Sequence, residues 1–342
     1  MKTYTGKERV QATFRREQAD RAPVSIPAAL QCAEAAGFAM EDFLLDDDKA
    51  LKIMEYAYRI FPSDVVGVPG DPTLPNIAAA RARKKYGEAA TQRPKMLAEK
   101  AAIHGLEFRH PKESASYAQF LKMCAKTKEL FGDAEVVALA PGPWSTAVEL
   151  RGAEALILDT MDDPPFVHEL MRLTTDLAGK RAIACAETGV MVVFGDPSSG
   201  CSLISPKMYR DFVKPYHTQL MTHNKQQMGN KTHFGYHICG YTDPIMPDLV
   251  ETGADWVEID APSSLERMLQ LSQGKVVIRG NVATDLFSEG TKEQIEESVK
   301  RCFDLAKASN AFILSPGCAI PAHAPLEKIR YYMEAAFKFG TY

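Results

Sequence analysis

Residues Thr232–Cys239 read THFGYHIC, and Gly240 follows. Aromatic and aliphatic side chains recur along the stretch and a glycine ends it, the pattern of a buried strand running into a turn. Similar runs lie on either side. Toward the C-terminus come Trp256–Ile259 (WVEI), Val276–Arg279 (VVIR) and Ala311–Ser315 (AFILS). Toward the N-terminus come Val190–Gly195 (VMVVFG), Val136–Ala140 (VVALA), Asp64–Val68 (DVVGV) and Pro23–Pro27 (PVSIP). Near-continuous apolar strands separated by helix-length stretches imply a parallel sheet covered by helices. Eight such units in 342 residues predict a closed (β/α)8 TIM barrel.

Helix signals agree with this. Thr5–Glu17 reads as a helix leading into the first strand and covering the barrel bottom. Ser205–Gln219 opens on Ser-Pro, a cap followed by proline at the first helical position. Thr291–Ser309 carries Gln294 three residues after Thr291, a capping box. The stretch Pro69–Glu135, between the second and third predicted strands, is too long for one helix. It predicts an insertion of extra helices or a small hairpin overhanging the barrel mouth, with uncertain order around Ala79–Arg93. No Pro/Gly/Ser-rich linker divides the chain, so residues 1–342 are expected to form a single domain.

Composition excludes several roles. The formal net charge is −4, and no Lys/Arg block suggests a nucleic-acid or membrane surface partner. The N-terminus is charged, without the apolar centre of a signal peptide, and no apolar run is long enough to span a bilayer. A cytoplasmic location is expected. The seven cysteines lack the spacing of a disulfide framework.

His237 and Cys239 stand two apart on one predicted strand, so both point to one face. The eighth predicted strand ends Ser315-Pro316-Gly317-Cys318, which puts a second cysteine at the same rim. Strand ends at that rim are where active sites of such barrels collect. Spacing alone leaves two readings open: unrelated buried residues, or a zinc site whose three protein ligands leave a fourth position free. Glu258 and Asp260, at the end of the sixth strand, are candidates for a further zinc ligand or an acid/base. Asp196 ends the fourth, and either orients a ligand or caps the turn before Pro197. Arg279 ends the seventh, and either holds an anionic head group or pairs with Asp260. Trp144 lines the pocket or packs in a loop. His323 is within reach of the Cys318 loop, and Cys32 and Cys201 are spare thiols after strands. His233 reads as a core or supporting histidine, and His217, on a helix, as remote.

From about Gly6 onward the chain resembles the uroporphyrinogen decarboxylase superfamily. The resemblance rests on Pro141-Gly142-Pro143-Trp144-Ser145-Thr146, Asp196-Pro197, Leu203-Ile204-Ser205-Pro206, Phe212-Val213-Lys214-Pro215-Tyr216, His237-Ile238-Cys239-Gly240, Arg279-Gly280-Asn281-Val282 and Pro316-Gly317-Cys318-Ala319-Ile320-Pro321. Two branches are implied. The decarboxylases carry an arginine-rich run after the first strand, where this chain has Pro27-Ala28-Ala29-Leu30-Gln31-Cys32. Porphyrinogen carboxylates need such arginines. Asp64 sits where that branch has its essential aspartate, so a metal-free decarboxylase using Asp64 is the alternative. The other branch comprises zinc-dependent methyltransferases of corrinoid systems, whose His, Cys and distant Cys ligands map onto His237, Cys239 and Cys318. The resemblance to that branch implies zinc and a methyl group moving between a corrinoid and a small thiol or methoxylated or methylated substrate. It also implies a separate corrinoid protein as partner, since this chain lacks the Asp-x-His-x-x-Gly cobalamin signature, and a possible homodimer. Two thiolates and a neutral histidine would leave the zinc unit uncharged, which favours a nucleophilic bound thiolate.

Overall fold

The computed structural model describes residues 3–72, 78, 80, 84 and 95–341. Seven strands form one sheet in chain order: β1 (Val65–Gly67), β2 (Glu135–Pro141), β3 (Met191–Gly195), β4 (Phe234–Ile238), β5 (Trp256–Ile259), β6 (Val277–Val282) and β7 (Phe312–Pro316). Every neighbouring pair is parallel. All the strand C-termini therefore lie at one end.

The first predicted strand, Pro23–Pro27, forms only two ladder bridges, Val24 with Leu314 of β7 and Ser25 with Val65 of β1. Both bridges are parallel, so the two outer strands share a bonding neighbour and the sheet is TIM-barrel-like. Three features keep the segment short. Prolines 23 and 27 have no N–H to donate, and the Ile26 N–H goes to Ser63 Oγ instead of a ladder carbonyl.

Helix α1 (Gly6–Arg15) lies under the sheet, with the expected capping box made by Thr5 and Glu8. Its Val10 and Phe14 join Val65, Val137, Met191, Val193, Trp256, Val277 and Ile313 in an apolar cluster. These strand residues share the inward parity, so the cluster fills the lower part of the interior. Helices α2 (Met40–Leu45) and α3 (Asp47–Ile60) precede β1. Of the stretch Pro69–Glu135, the described part holds 3-10 turns at Lys100–Gly105 and Pro111–Glu113, then α4 (Ala115–Leu130), the helix before β2. Except for residues 80 and 84, the segment 79–93 lies outside the described residues. The turn at 100–105 is tied to the two helices after β2, α5 (Pro143–Arg151) and α6 (Ala153–Asp162). Lys100 Nζ meets Asp159 at 2.8 Å, and Arg151 donates to the carbonyls of Leu97 and Ala98.

Helix α7 (Pro164–Ala186) precedes β3. After β3, the predicted helix Ser205–Gln219 is interrupted. A turn at Pro206–Met208, capped by Ser205, passes through a π-helical stretch, Tyr209–Val213, into α8 (Lys214–Met228). Pro215 cannot donate a backbone hydrogen bond to the preceding turn, which fits a register change there. Helices α9 (Met246–Glu251), α10 (Leu265–Ser272), α11 (Lys292–Ala306) and α12 (Leu326–Phe339) alternate with the remaining strands. Thr291 and Gln294 make the expected capping box on α11. Among the described residues no helix is long and apolar enough to cross a membrane.

Candidate metal centre

Register sets the site. Gly195 of β3 is paired with His237 of β4, His237 with Glu258 of β5, and Glu258 with Arg279 of β6. Directly paired residues of a parallel sheet share a face. His237, Glu258 and Arg279 therefore form a polar row along the inner wall, above the apolar floor. Ser25 extends the row by accepting from Arg279 Nη2 at 2.8 Å.

Cys239 follows β4 by one residue, and Cys318 follows β7 by two. Both turns bring sulfur to the imidazole. His237 Nε2 lies 3.1 Å from Cys239 Sγ and 3.7 Å from Cys318 Sγ, and the two sulfurs are 3.6 Å apart. Among the described residues this is the only trio of His, Cys, Asp or Glu side chains close enough to share a metal ion. Asp260, one residue past β5, braces the turn that carries Cys239 by accepting from Gly240 N at 2.8 Å, and accepts from its own neighbour Ala261 N at 2.7 Å. Gly240 has φ +74°, and a Cβ there would come within 2.6 Å of Ser202 Oγ. Gly317 is equally constrained, since a Cβ would fall 2.7 Å from Ala261 N.

The trio fits zinc on geometric grounds. A tetrahedral ion with ordinary Zn–S and Zn–N lengths sets its sulfurs about 3.8 Å apart and a nitrogen and sulfur about 3.6 Å apart. The sulfur–sulfur and His237–Cys318 edges lie near these values, and the His237–Cys239 edge, at 3.1 Å, is shorter. The donor types also fit, since two sulfurs and one imidazole form a soft set. Electrostatics prepare it as well. Hydrogen bonds from Cys239 and His237 hold the Cys318 thiol down, to about 4, while the contact with Cys318 and burial push Cys239 up. Burial lowers the His237 pKa, but the charge of Glu258 and the contact with Cys318 outweigh it and raise it. The second imidazole nitrogen, Nδ1, is buried without a hydrogen bond and faces Glu258 Oε2 at 3.8 Å.

A cavity of about 490 Å³ opens beside His237 and Cys318. Its walls are mainly apolar and include Ile26, Leu30, Phe43, Val137, Leu139 and Val193. Glu258 and Arg279 supply charge on the wall, and Arg279 Nη1 is 3.5 Å from Glu258 Oε2. The arginine thus pairs with Glu258, not with Asp260, the partner that the chain order allowed. Adjacency in the register, which the sequence does not display, makes the difference.

Other candidates lie elsewhere. Asp64 precedes β1, at the end of the sheet opposite the cysteines, and its carboxylate meets Arg21 at 2.5 Å and Arg9 at 3.0 Å. Asp196 is fully buried. It accepts from the backbone N–H groups of Trp144 and Ser145, in the first turn of α5, and meets His217 Nε2 at 2.9 Å. Trp144 is also fully buried, donating to the Ser198 carbonyl; it packs in the first turn of α5 and does not line the cavity. His217, on α8 and outside the trio, belongs to this Asp196 network. His233 stacks on Phe14 of α1 at 3.8 Å, at the barrel bottom. His323 lines a separate hollow with Gln31 and Met40. Cys32 is buried, which pushes its thiol up to about 12. Ser25 was missed as a site residue. Its inward parity with Val65 and its polar side chain in an apolar run were the available signals.

Fold and site together define a class: a parallel, TIM-barrel-like α/β protein with a soft-metal donor set at the C-terminal ends of its strands. The chain belongs to the uroporphyrinogen decarboxylase (URO-D) family, whose model matches residues 5–339. Similar proteins fall on both sides of that family. A methylated-thiol–coenzyme M methyltransferase of Methanosarcina mazei is 26% identical over 210 residues, 61% of this chain and 54% of that protein. A methylcobamide:CoM methyltransferase of Methanosarcina barkeri is 23% identical over 211 residues, 59% of this chain and 58% of its own. A uroporphyrinogen decarboxylase of Xylella fastidiosa is 26% identical over 195 residues, 54% of this chain and 53% of its own. The chain spans a little over half the length of these curated relatives. Among solved structures, a methyltransferase from Methanosarcina mazei superposes with a TM-score of 0.77 at 18% identity, covering 98% of this chain and 99% of that one. That likeness is one of fold.

Proposed function

We propose that this chain is a cytoplasmic zinc-dependent methyltransferase, moving a methyl group between a corrinoid carried by a partner protein and a small thiol or methylated substrate. The observation that carries the reading is the convergence of His237, Cys239 and Cys318 beside the cavity. Zinc bound by these three would leave a fourth position where a thiol is held as thiolate, or where the heteroatom of a methyl donor is polarised. The names of the methyltransferase relatives point the same way.

The remaining residues prepare the site. Glu258 faces Nδ1 of His237 and favours the tautomer with its proton there, which leaves Nε2 free to coordinate. This supporting role suits Glu258 better than that of a fourth ligand, since it stands on the far side of the ring from the sulfurs. Asp260 holds the turn that carries the Cys239 sulfur. The apolar walls exclude water from the reacting groups. The fold that goes with this reading is a (β/α)8 barrel completed by Val24 and Ser25, with an insertion between its second and third strands.

The metal-free decarboxylase alternative loses its main support, because Asp64 is engaged by two arginines at the other end of the sheet. Zinc per chain, measured by elemental analysis on the wild type, Cys239→Ala and Cys318→Ala, tests the proposal. About one zinc in the wild type and none in either variant is expected, with transfer from methylcobalamin to a thiol, or from a methylated donor to the Co(I) corrinoid, followed by visible absorption. A wild type that stays metal-free after reconstitution would overturn it.

A further inference from the structure

The cavity beside the trio carries an inference about the substrate, which rests on the methyl-transfer reading above. Among the described residues its charged lining groups, apart from His237 and Cys318 of the trio, are one carboxylate, Glu258, and one guanidinium, Arg279. They stand 3.5 Å apart, and the guanidinium is further held by Ser25. An anion entering this space would meet a cation already paired and a carboxylate beside it. Moving an ionised group into apolar surroundings is unfavourable unless a free countercharge or several donors meet it. Arg279 Nε, buried without a partner, is the cationic donor left to offer, and one neutral or anionic acceptor atom satisfies it. The rest of the wall is mainly apolar and includes Ile26, Leu30, Phe43, Leu139 and Val193, with Tyr58 and Ser63 among its few polar members. The volume of about 490 Å³ is in the range of sites that enclose an organic molecule with rings.

We infer that the small-molecule partner of this site is neutral and largely apolar, an aryl or alkyl methyl ether or methyl thioether or the corresponding thiol. It is not a thiol bearing a sulfonate or carboxylate, such as the coenzyme M named for two relatives. The methyl-bearing heteroatom faces His237 and Cys318, and the apolar body fills the space toward Phe43 and Leu139. In the demethylating direction the heteroatom–carbon bond breaks. Its electron pair stays on the oxygen or sulfur, which takes a proton from solvent. The methyl carbon forms its new bond with the electron pair of a Co(I) corrinoid, which becomes methyl-Co(III).

Calorimetric titration of the zinc-loaded protein separates the two ligand types. Benzyl mercaptan and 2-mercaptoethanol are compared with 2-mercaptoethanesulfonate, the last two differing chiefly in hydroxyl against sulfonate. Methoxybenzene and methylthiobenzene distinguish the oxygen from the sulfur class. The neutral aromatic thiol is expected to bind at least about tenfold more tightly than the sulfonate. Val193→Phe and Leu139→Phe, each checked for folding by thermal melting, should weaken the aromatic ligand while changing 2-mercaptoethanol little. Glu258→Gln, by releasing Arg279, should narrow the gap between hydroxyl and sulfonate. Tighter binding of the sulfonate, no binding of either neutral aromatic class, or indifference to both cavity substitutions would overturn the inference. Failure of methyl transfer with every partner, while neutral ligands still bind as described, would strike the methyltransferase reading alone. Efficient methylation of the sulfonate thiol in preference to benzyl mercaptan would strike the substrate class alone.

Discussion

At the scale of single residues, the proposed metal site would depend on groups that do not touch the metal. A coordinating imidazole needs its other nitrogen held, and here Nδ1 of His237 faces Glu258 at 3.8 Å. Supporting carboxylates of this kind are worth about 10–100-fold in metal affinity. Glu258→Gln is therefore expected to lower zinc affinity by about that factor, read by competition with a chromophoric chelator, while the fold melts close to the wild-type temperature. An unchanged affinity would assign Glu258 only to its pairing with Arg279. His237 and Cys239 were readable in the sequence because strand parity is local. Arg279 was readable as an inward residue but not as the partner of Glu258.

At the scale of elements, two buried carboxylates have opposite effects. Asp196 joins the end of β3 to the start of α5 and to α8, through Trp144 N, Ser145 N and His217. Asp196→Ala would leave these buried groups unpaired, at a cost of about 3 kcal/mol or more. Urea unfolding should show that loss in a variant that still binds zinc. Loss of zinc at full stability would instead make Asp196 part of the metal site. Glu135, at the start of β2, is pushed up by burial, which outweighs its hydrogen bond from Gln11 on α1. The folded chain then holds this proton more tightly than the unfolded chain does. The group costs stability as pH rises above its unfolded value of about 4.3, and none below it. Glu135→Gln keeps an acceptor for Gln11 and should raise the urea midpoint at pH 7. The gain should vanish near pH 4, and a gain independent of pH would refute the assignment.

For the whole molecule, the two ends of the sheet have separate duties. The lower end is closed by α1 and by the ion pairs of Asp64 with Arg9 and Arg21, which bind the start of β1 to the N-terminal segment. Asp64 also accepts from Val24 N, next to the bridges that join β1 and β7. Removing one partner of so buried a group costs about 3–5 kcal/mol. Asp64→Ala should melt markedly lower, yet bind zinc at the wild-type ratio below its melting temperature. A variant that melts normally but loses activity would return Asp64 to the chemistry and favour decarboxylation.

The sequence by itself determined the order of strands and helices, the capping boxes at Thr5 and Thr291, and the common facing of His237 and Cys239. All of these depend on residues a few positions apart. It placed seven of the predicted strands well and made too much of Pro23–Pro27, where prolines and the Ser63 hydroxyl divert the ladder. The tertiary structure alone decided that Cys318 meets Cys239, that Arg279 pairs with Glu258, that Asp196 and Trp144 are sealed in the core, and that Asp64 stands away from the cysteines. Each of these turns on which strands are neighbours, in what register, and on whether a residue precedes or follows its strand. Side chains far apart in the chain meet only when the closing of the sheet brings their strand ends to one rim.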